Sequence, residues 1–336
     1  MRLKETKQPI MGLAALLILF YHLYPIPRND SILSVFLRYV ITTSYIGVDL
    51  FFFLAGYMSF FSALDDNTIY IRKKLIRIYP LFIISCAIFV FMGKISLPKA
   101  LLTLLGIELF SRGGGSFLWF LPAIMIFYLT VPLYKKLQKK FGSFPVLLFA
   151  FLAWLMLILL LEKTVSNHSI NIFMCRVPII MLGIALAKYE GKWQKGYQVI
   201  VGILLLCSGV LLAWQFSYPG KTDFLISDIF YILTIPYVLG VVLLADIVFS
   251  VGEARIFAFL GKITLELYCF QMLFGTLFFE WFIVLTKNGF LSFALGAALI
   301  ALISYLWSLV YRQLQTKYFL SNLASKDYAR IKINKQ

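Results

Sequence analysis

Ten apolar runs of about 20 residues each recur along this chain of 336 residues. An apolar α-helix of that length crosses the hydrocarbon core of a bilayer, because its backbone polar groups are satisfied internally. Hydrophobic residues make up 61% of the chain and charged residues 14%, against roughly 45–50% and 25% in soluble domains. We therefore predict an all-α, polytopic membrane helix bundle with about ten spans, near residues 9–26, 44–64, 78–97, 117–134, 145–161, 170–188, 197–216, 228–249, 263–284 and 289–311.

The basic residues predict the orientation of these spans. Most of the 31 lysines and arginines fall in the connections that are cytoplasmic if both termini are cytoplasmic. The net charge of +16 then reflects topology and anionic lipid, and we expect no nucleic-acid partner. We divide the chain into a transmembrane domain at residues 1–312 and a basic cytoplasmic tail at 313–336. Ser31–Thr43 and Lys99–Phe110 are expected to be interfacial helices or loops on the outer side.

Four polar or aromatic side chains fall at one depth, near the outer face. With 1.5 Å of rise per residue, His22, Asp49, Trp119 and Arg176 all lie near the outer ends of their spans. Ionisable groups inside spans are rare and often mark functional sites. A structural interpretation stays open for each: His22 satisfying a carbonyl, Asp49 and Arg176 forming a buried ion pair, and Trp119 anchoring the interface.

If the functional interpretation holds, His22 and Asp49 suit acid–base chemistry. A carboxylate that orients a histidine and stabilises its protonated form is the usual support for a general base. Depth alone does not identify the substrate that such a base would meet.

A basic stretch marks the predicted inner mouth of the bundle. The sequence IRKKLIRIYP at residues 71–80 leads into the third span and carries Arg72, Lys73, Lys74 and Arg77. These cations are placed either to bind phosphate groups or to anchor the span by the positive-inside rule.

Six segments, taken in order, resemble the family 3 membrane acyltransferases of bacteria, which modify envelope carbohydrates. The resemblance covers nearly the whole chain. The segments are MGLAALLILFYH at 11–22 (family pattern RGxAAxxVxxxH), YIGVDLFFFLAG at 45–56 (GVDLFFxLSG), the RIYP that ends at Pro80, LWFLP at 118–122, Arg176-Val-Pro with Gly183, and GKITLELY at 261–268.

This resemblance implies an activity and roles for residues. The donor would be acetyl-CoA or another acyl-CoA used from the cytoplasmic side of the bacterial plasma membrane, with no metal, and the acceptor would be a hydroxyl of an envelope polysaccharide or lipid-linked sugar. His22 would be the general base and Asp49 would orient it. The coenzyme A phosphates would be held by Arg72, Lys73, Lys74 and Arg77, and the substrate-binding candidates are Trp119, Arg176, Glu266, Tyr268 and Gln271.

The chain also departs from the family pattern. Met11 stands where the family has an arginine, so that charge must be supplied by Arg2, Lys4 or Lys7, or be lost. Gln271 stands where the family often has a histidine. Two alternatives therefore stay open beside the acyltransferase: a lipid-linked sugar transporter or flippase, and a catalytically degenerate partner subunit.

Overall fold

Helices form all the regular structure in the described part of the chain. The structure is a computed structural model, and it describes residues 1–24, 31–62, 67–110, 118–164, 169–216, 234–252 and 254–314. The α-helices there are α1 Leu3–Leu23, α2 Ile32–Thr43, α3 Ile46–Phe60, α4 Asn67–Phe91, α5 Leu97–Leu104, α6 Phe120–Phe141, α7 Ser143–Thr164, α8 Ser169–Met174, α9 Val177–Ala187, α10 Lys195–Phe216, α11 Ile235–Val251, α12 Arg255–Lys262, α13 Thr264–Thr286 and α14 Gly289–Leu314, with a 3₁₀ turn at Ile107–Phe110.

Local signals explain several helix ends. The side chains of Ser31 and Ser96 accept hydrogen bonds from the backbone N–H groups of Ser34 and Lys99 at the starts of α2 and α5. Gly142, with φ at 87°, lies between α6 and α7, where a residue with a Cβ would be strained. Helix boundaries at these positions therefore follow from the sequence.

The prediction of a polytopic helical membrane protein is confirmed, but the count of ten spans is not. Six described helices are long and apolar enough to cross a membrane, or seven if the bent pair Ile235–Val251 and Arg255–Lys262 forms one span. Three shorter apolar helices, Ser143–Leu157, Ile172–Ala187 and Lys195–Leu211, fall where three further spans were predicted. The cytoplasmic location of both termini stays a prediction, and residues 315–336 of the predicted tail lie outside the described residues.

The segment Ser31–Thr43, predicted as an interfacial helix or loop, forms a helix that leads through a turn at Ser44 and Tyr45 into the second span, and its interfacial location stays a prediction. Ile32–Phe60 is a single candidate span of 29 residues. A helix of that length is about 43 Å long, whereas the hydrocarbon core is about 30 Å thick. Ile32, at its start, is 91% exposed, so this end extends beyond the packed helices.

Helices α3 and α9 pack at backbone contact through two reciprocal glycines. A Cβ added to Gly56 would lie 2.2 Å from the carbonyl oxygen of Ile180, and one added to Gly183 would lie 2.2 Å from that of Phe53. Small residues allow this close approach, as in other membrane helix pairs. The contact fixes the register of α9 against α3. Arg176 lies at the N-terminal end of α9, and Asp49 lies in α3.

A buried carboxylate anchors the start of α1. Asp246 of α11, 3% exposed, accepts hydrogen bonds from the Thr6 hydroxyl at 2.5 Å, the Arg2 backbone N–H at 2.9 Å and the Gln198 amide at 2.9 Å. A negative charge at a helix N-terminus is favourable because the helix dipole is positive there. The anchor fixes the first turns of α1, which form part of the site described next.

Candidate active site

A cavity of about 210 Å³ opens between α1, α3, α4, α6 and α13 at one end of the bundle. One wall of the cavity is aromatic and consists of Phe51, Phe120 and Tyr268. The basic lining residues Lys7, Lys74 and Arg77 are partly exposed, and the part of the cavity that they line is called its mouth. Among the described residues, neither aspartate nor glutamate lines this cavity. The cavity therefore presents positive charge on an apolar wall, which suits an anionic group attached to an apolar chain.

Two of the cations are held in place by neighbours. The Lys74 ammonium lies 4.2 Å from the ring centroid of Tyr128 and 5.5 Å from that of Tyr70, so both rings stabilise its charge. Arg77 Nη2 lies 3.7 Å from a carboxylate oxygen of Glu266, whose side chain is 2% exposed. This pair joins α4 to α13 behind the cavity and orients the guanidinium.

The structure divides the basic stretch that the sequence treats as one group. Lys74 and Arg77 line the cavity, whereas Arg72 and Lys73 are exposed and do not line it. Helical periodicity explains Arg72, which lies on the side of α4 opposite to the face that Lys74 shares with Tyr70 and Ile78. Lys73 lies at the edge of the cavity face, three residues after Tyr70 and four before Arg77, and its side chain is exposed.

Of Arg2, Lys4 and Lys7, the three residues that could replace the charge missing at Met11, Lys7 lines the cavity. Lys7 and Met11 are four residues apart on α1, so they share a face, and both line the cavity. Arg2 and Lys4 are exposed and do not line it. Lys7 therefore supplies positive charge one helical turn from the position where the family pattern has arginine.

A second group of predicted residues forms a buried layer beyond the aromatic wall. Arg176 Nε lies 2.7 Å from Asp49 Oδ1, and the guanidinium carbon lies 5.4 Å from the ring centroid of Trp119. Asp49 and Arg176 are 0% and 3% exposed. Arg176 also donates to the Ile172 carbonyl at 2.7 Å. The predicted common depth of these three residues thus corresponds to direct contact.

Aromatic contacts connect this layer to the cavity. The Phe120 ring centroid lies 5.1 Å from that of Phe52 and 5.4 Å from that of Tyr268. Phe52 in turn lies 6.3 Å from Trp119. Phe120 and Tyr268 therefore separate the cavity from the layer that contains Asp49 and Arg176.

His22 lies apart from the cavity. It follows Met11 by eleven positions, which corresponds to a distance of about 16 Å along the axis of α1. It is exposed, and its ring lies 5.2 Å from that of Tyr21. Within the ranges that the structure describes, no hydrogen bond joins His22 to Asp49, whose carboxylate contacts Arg176 instead. The roles of His22 as general base and of Asp49 as its orienting group stay predictions.

Gln271 lies on α13 between the cavity and the level of His22. It is 4% exposed, and no group among the described residues forms a hydrogen bond with its side-chain oxygen. Tyr268, one turn before it, lines the cavity, and Gly275, one turn after it, lies against Leu23, next to His22. A buried acceptor without a partner is costly, which makes this position a candidate for contact with substrate.

The described helices and the basic cavity define a helical membrane protein. A family model described as an acyltransferase domain matches residues 12–311, and the chain therefore belongs to this acyltransferase family, acyltransferase 3. The match begins one residue after Met11. No curated protein and no solved structure matches the chain.

Proposed function

We propose that this protein is a membrane O-acyltransferase of the bacterial plasma membrane, which moves an acyl group from cytoplasmic acyl-CoA to a hydroxyl of an envelope polysaccharide or lipid-linked sugar. Acetyl-CoA is the proposed donor. The observation that carries the proposal is the cavity lined by Lys7, Lys74 and Arg77 in a chain of the acyltransferase family.

The charge of the cavity supports a phosphate-bearing donor. Lysine and arginine bind phosphate through charge-assisted hydrogen bonds, which are stronger than those between neutral groups. The apolar wall beyond them, with Phe51 and Phe120, suits the uncharged acyl-bearing arm of coenzyme A. The donor would thus lie with its phosphates at the mouth and its thioester directed towards Phe120 and Tyr268.

The proposed reaction is a single exchange of bonds at the acyl carbon. The acceptor hydroxyl oxygen attacks the thioester carbonyl, its proton passes to His22, the C–S bond breaks, and the coenzyme A sulfur leaves as a thiolate that is then protonated. An ester and free coenzyme A are the products. Because His22 lies about 16 Å along α1 from Met11, the thioester must extend past the aromatic wall to meet it.

A degenerate partner subunit is the second candidate. Met11 lines the cavity where the family pattern has arginine, and this substitution would weaken catalysis if Lys7 did not compensate. The experiment below separates the two candidates, and substrate movement without acyl-CoA would favour the transporter alternative.

The test is the ester-linked acyl content of envelope glycans, measured by NMR before and after mild base treatment. Cells carry the intact gene, a deletion, His22→Ala, or His168→Ala, which changes the other of the two histidines. We expect the deletion and His22→Ala to lose the same acyl signal while His168→Ala retains it. Identical spectra from all four strains would refute the acyltransferase proposal.

A further inference from the structure

A second basic cleft lies next to the cavity. It is lined by side chains of α6, by Lys188 at the end of α9 and by the ends of α3 and α4, and its cations are Lys135, Lys136, Lys139 and Lys188. Ser62 lines both the cavity and the cleft, so the two spaces meet at this residue. Among the described residues, the cleft has no acidic lining residue. Residues 63–66, which include Asp65 and Asp66, lie outside the described part, so this charge balance covers only the described residues.

The face of α6 that lines the cavity continues into the cleft. Ile124 and Tyr128 line the cavity, and Lys135 and Lys139 line the cleft. Tyr128, Lys135 and Lys139 follow spacings of seven and four residues, which places them on one side of an α-helix. The distance from Tyr128 to Lys139 along the helix axis is about 16 Å.

Helix α4 shows the same order. Asn67 lines the cleft, and Tyr70, Lys74 and Ile78 line the cavity at successive spacings of three, four and four residues. Asn67 lies about 10 Å along the axis from Lys74. Two helices thus each run from the cavity into the cleft. Together they form a basic trough, with Lys7, Lys74 and Arg77 in the cavity and Lys135, Lys136, Lys139 and Lys188 in the cleft.

The lysines of the cleft differ in their hydrogen bonds and in their exposure to solvent. Lys135 Nζ donates to the backbone carbonyl oxygens of Phe60 and of Ser62, the latter at 3.2 Å, and so caps the C-terminal end of α3. Lys136, Lys139 and Lys188 are exposed. These three ammonium groups are the ones that a ligand in the cleft would contact.

We infer that this cleft is a second phosphate-binding site, which holds phosphate groups of a ligand that lies along the trough. Two sources carry this chemistry: the phosphorylated nucleotide end of the acyl-CoA donor and the headgroup of an anionic phospholipid. Assignment to the nucleotide end rests on the proposed function, whereas the binding of phosphate by the cleft does not.

The test compares two triple variants of the full-length protein in nanodiscs. Lys136→Gln/Lys139→Gln/Lys188→Gln removes the cleft charges. The matched control, Lys140→Gln/Lys192→Gln/Lys195→Gln, removes the same charge from residues that line neither the cavity nor the cleft. One arm measures the binding of adenosine 3′,5′-bisphosphate by calorimetry in phosphatidylcholine nanodiscs, and the other measures retained phosphatidylglycerol by native mass spectrometry.

We expect the cleft variant to bind adenosine 3′,5′-bisphosphate about tenfold more weakly than the control, since charge-assisted contacts are lost. This result assigns the cleft to a nucleotide ligand. Loss of phosphatidylglycerol from the cleft variant alone, with unchanged nucleotide binding, assigns it to a lipid headgroup. If the cleft variant and the control agree in both arms, the inference is wrong. Neither arm requires acyl transfer, so failure of the proposed function would leave this test valid.

Discussion

Arg176 Nε lies 2.7 Å from Asp49 Oδ1, and both side chains are almost completely buried. Asp49 belongs to α3, and Arg176 precedes α9, about 130 positions later in the chain. The pair therefore joins two helices that also meet through Gly56 and Gly183. A buried charge that loses its partner is strongly destabilising, which gives this contact a measurable consequence.

Removal of one partner should destabilise the protein more than removal of both. Asp49→Leu leaves Arg176 buried without its carboxylate, and we expect a loss of about 3–5 kcal/mol in the free energy of unfolding. Asp49→Leu/Arg176→Met should recover most of that loss, because neither charge remains. Unfolding of the protein in nanodiscs, followed by circular dichroism, measures both.

The double variant also tests whether the Asp49–Arg176 pair has a chemical role. If the pair supports catalysis, the double variant should be stable yet inactive in acyl transfer. Full activity in a stable double variant would reduce Asp49 to a structural partner of Arg176, and equal stability of the single and double variants would contradict the ion pair itself.

The glycine contact between α3 and α9 should tolerate no larger residue. Gly183→Ala places a Cβ 2.2 Å from the Phe53 carbonyl oxygen, so the helices must separate, at a cost of about 1–3 kcal/mol. The matched control is Gly196→Ala, where the added Cβ meets no atom within 4 Å among the described residues beyond its own stretch of helix. Thermal unfolding of the two variants should differ clearly, and equal melting temperatures would contradict the close approach of α3 and α9.

Lys7 should provide the positive charge that Met11 does not. We expect Lys7→Met to raise the KM for acetyl-CoA about tenfold, because one charge-assisted phosphate contact is lost. Lys7→Met/Met11→Arg should restore a KM near that of the intact protein, since residues 7 and 11 share one face of α1 and both line the cavity. Initial rates against acetyl-CoA concentration measure these values.

Lys4→Met is the comparison for this experiment, because Lys4 is exposed on the same helix and does not line the cavity. A KM for Lys4→Met as high as that for Lys7→Met would show that the effect is one of general charge near the membrane, and would contradict a specific contact at Lys7.

Gln271 is expected to lower the stability of the protein and to contribute to acyl transfer. Its side-chain oxygen is buried without a partner in the described part of the chain, so Gln271→Leu removes a desolvation cost of about 1–3 kcal/mol and should raise the melting temperature. If this oxygen contacts the acceptor, the stabilised variant should also lose acyl transfer to the envelope glycan. A lower melting temperature would contradict the absence of a favourable contact at this position.

The sequence predicts helicity well because helicity depends on local patterns, and each predicted span overlaps a helix. Of the four residues predicted at one depth, Asp49 and Trp119 both contact Arg176, whereas the depth of His22 stays a prediction. The sequence predicts a span that begins near Ser44, whereas Ile32–Phe60 forms one candidate span in which α2 and α3 meet at the turn of Ser44 and Tyr45.

The side of each helix that faces the cavity could be predicted only in part. Periodicity separates Arg72 from the face of Tyr70, Lys74 and Ile78, so this part of the division was available from the sequence. It does not separate Lys73, which is spaced three residues from Tyr70 and four from Arg77. The pairing of Arg77 with Glu266 was not, because it depends on the packing of α4 against α13, nearly 200 residues apart. Long-range packing of this kind leaves no periodic signal in a single sequence.

The most direct test of the account is acetyl-CoA binding to the purified protein in phosphatidylcholine nanodiscs, measured by calorimetry for the intact chain, Lys74→Gln and Lys73→Gln. Lys74 lines the cavity between two tyrosine rings, and Lys73 is exposed outside it. We predict saturable binding by the intact protein, binding about tenfold weaker in Lys74→Gln, and a change of less than about twofold in Lys73→Gln. The absence of saturable binding, or equal weakening in both variants, would contradict the assignment of this cavity to the acyl donor.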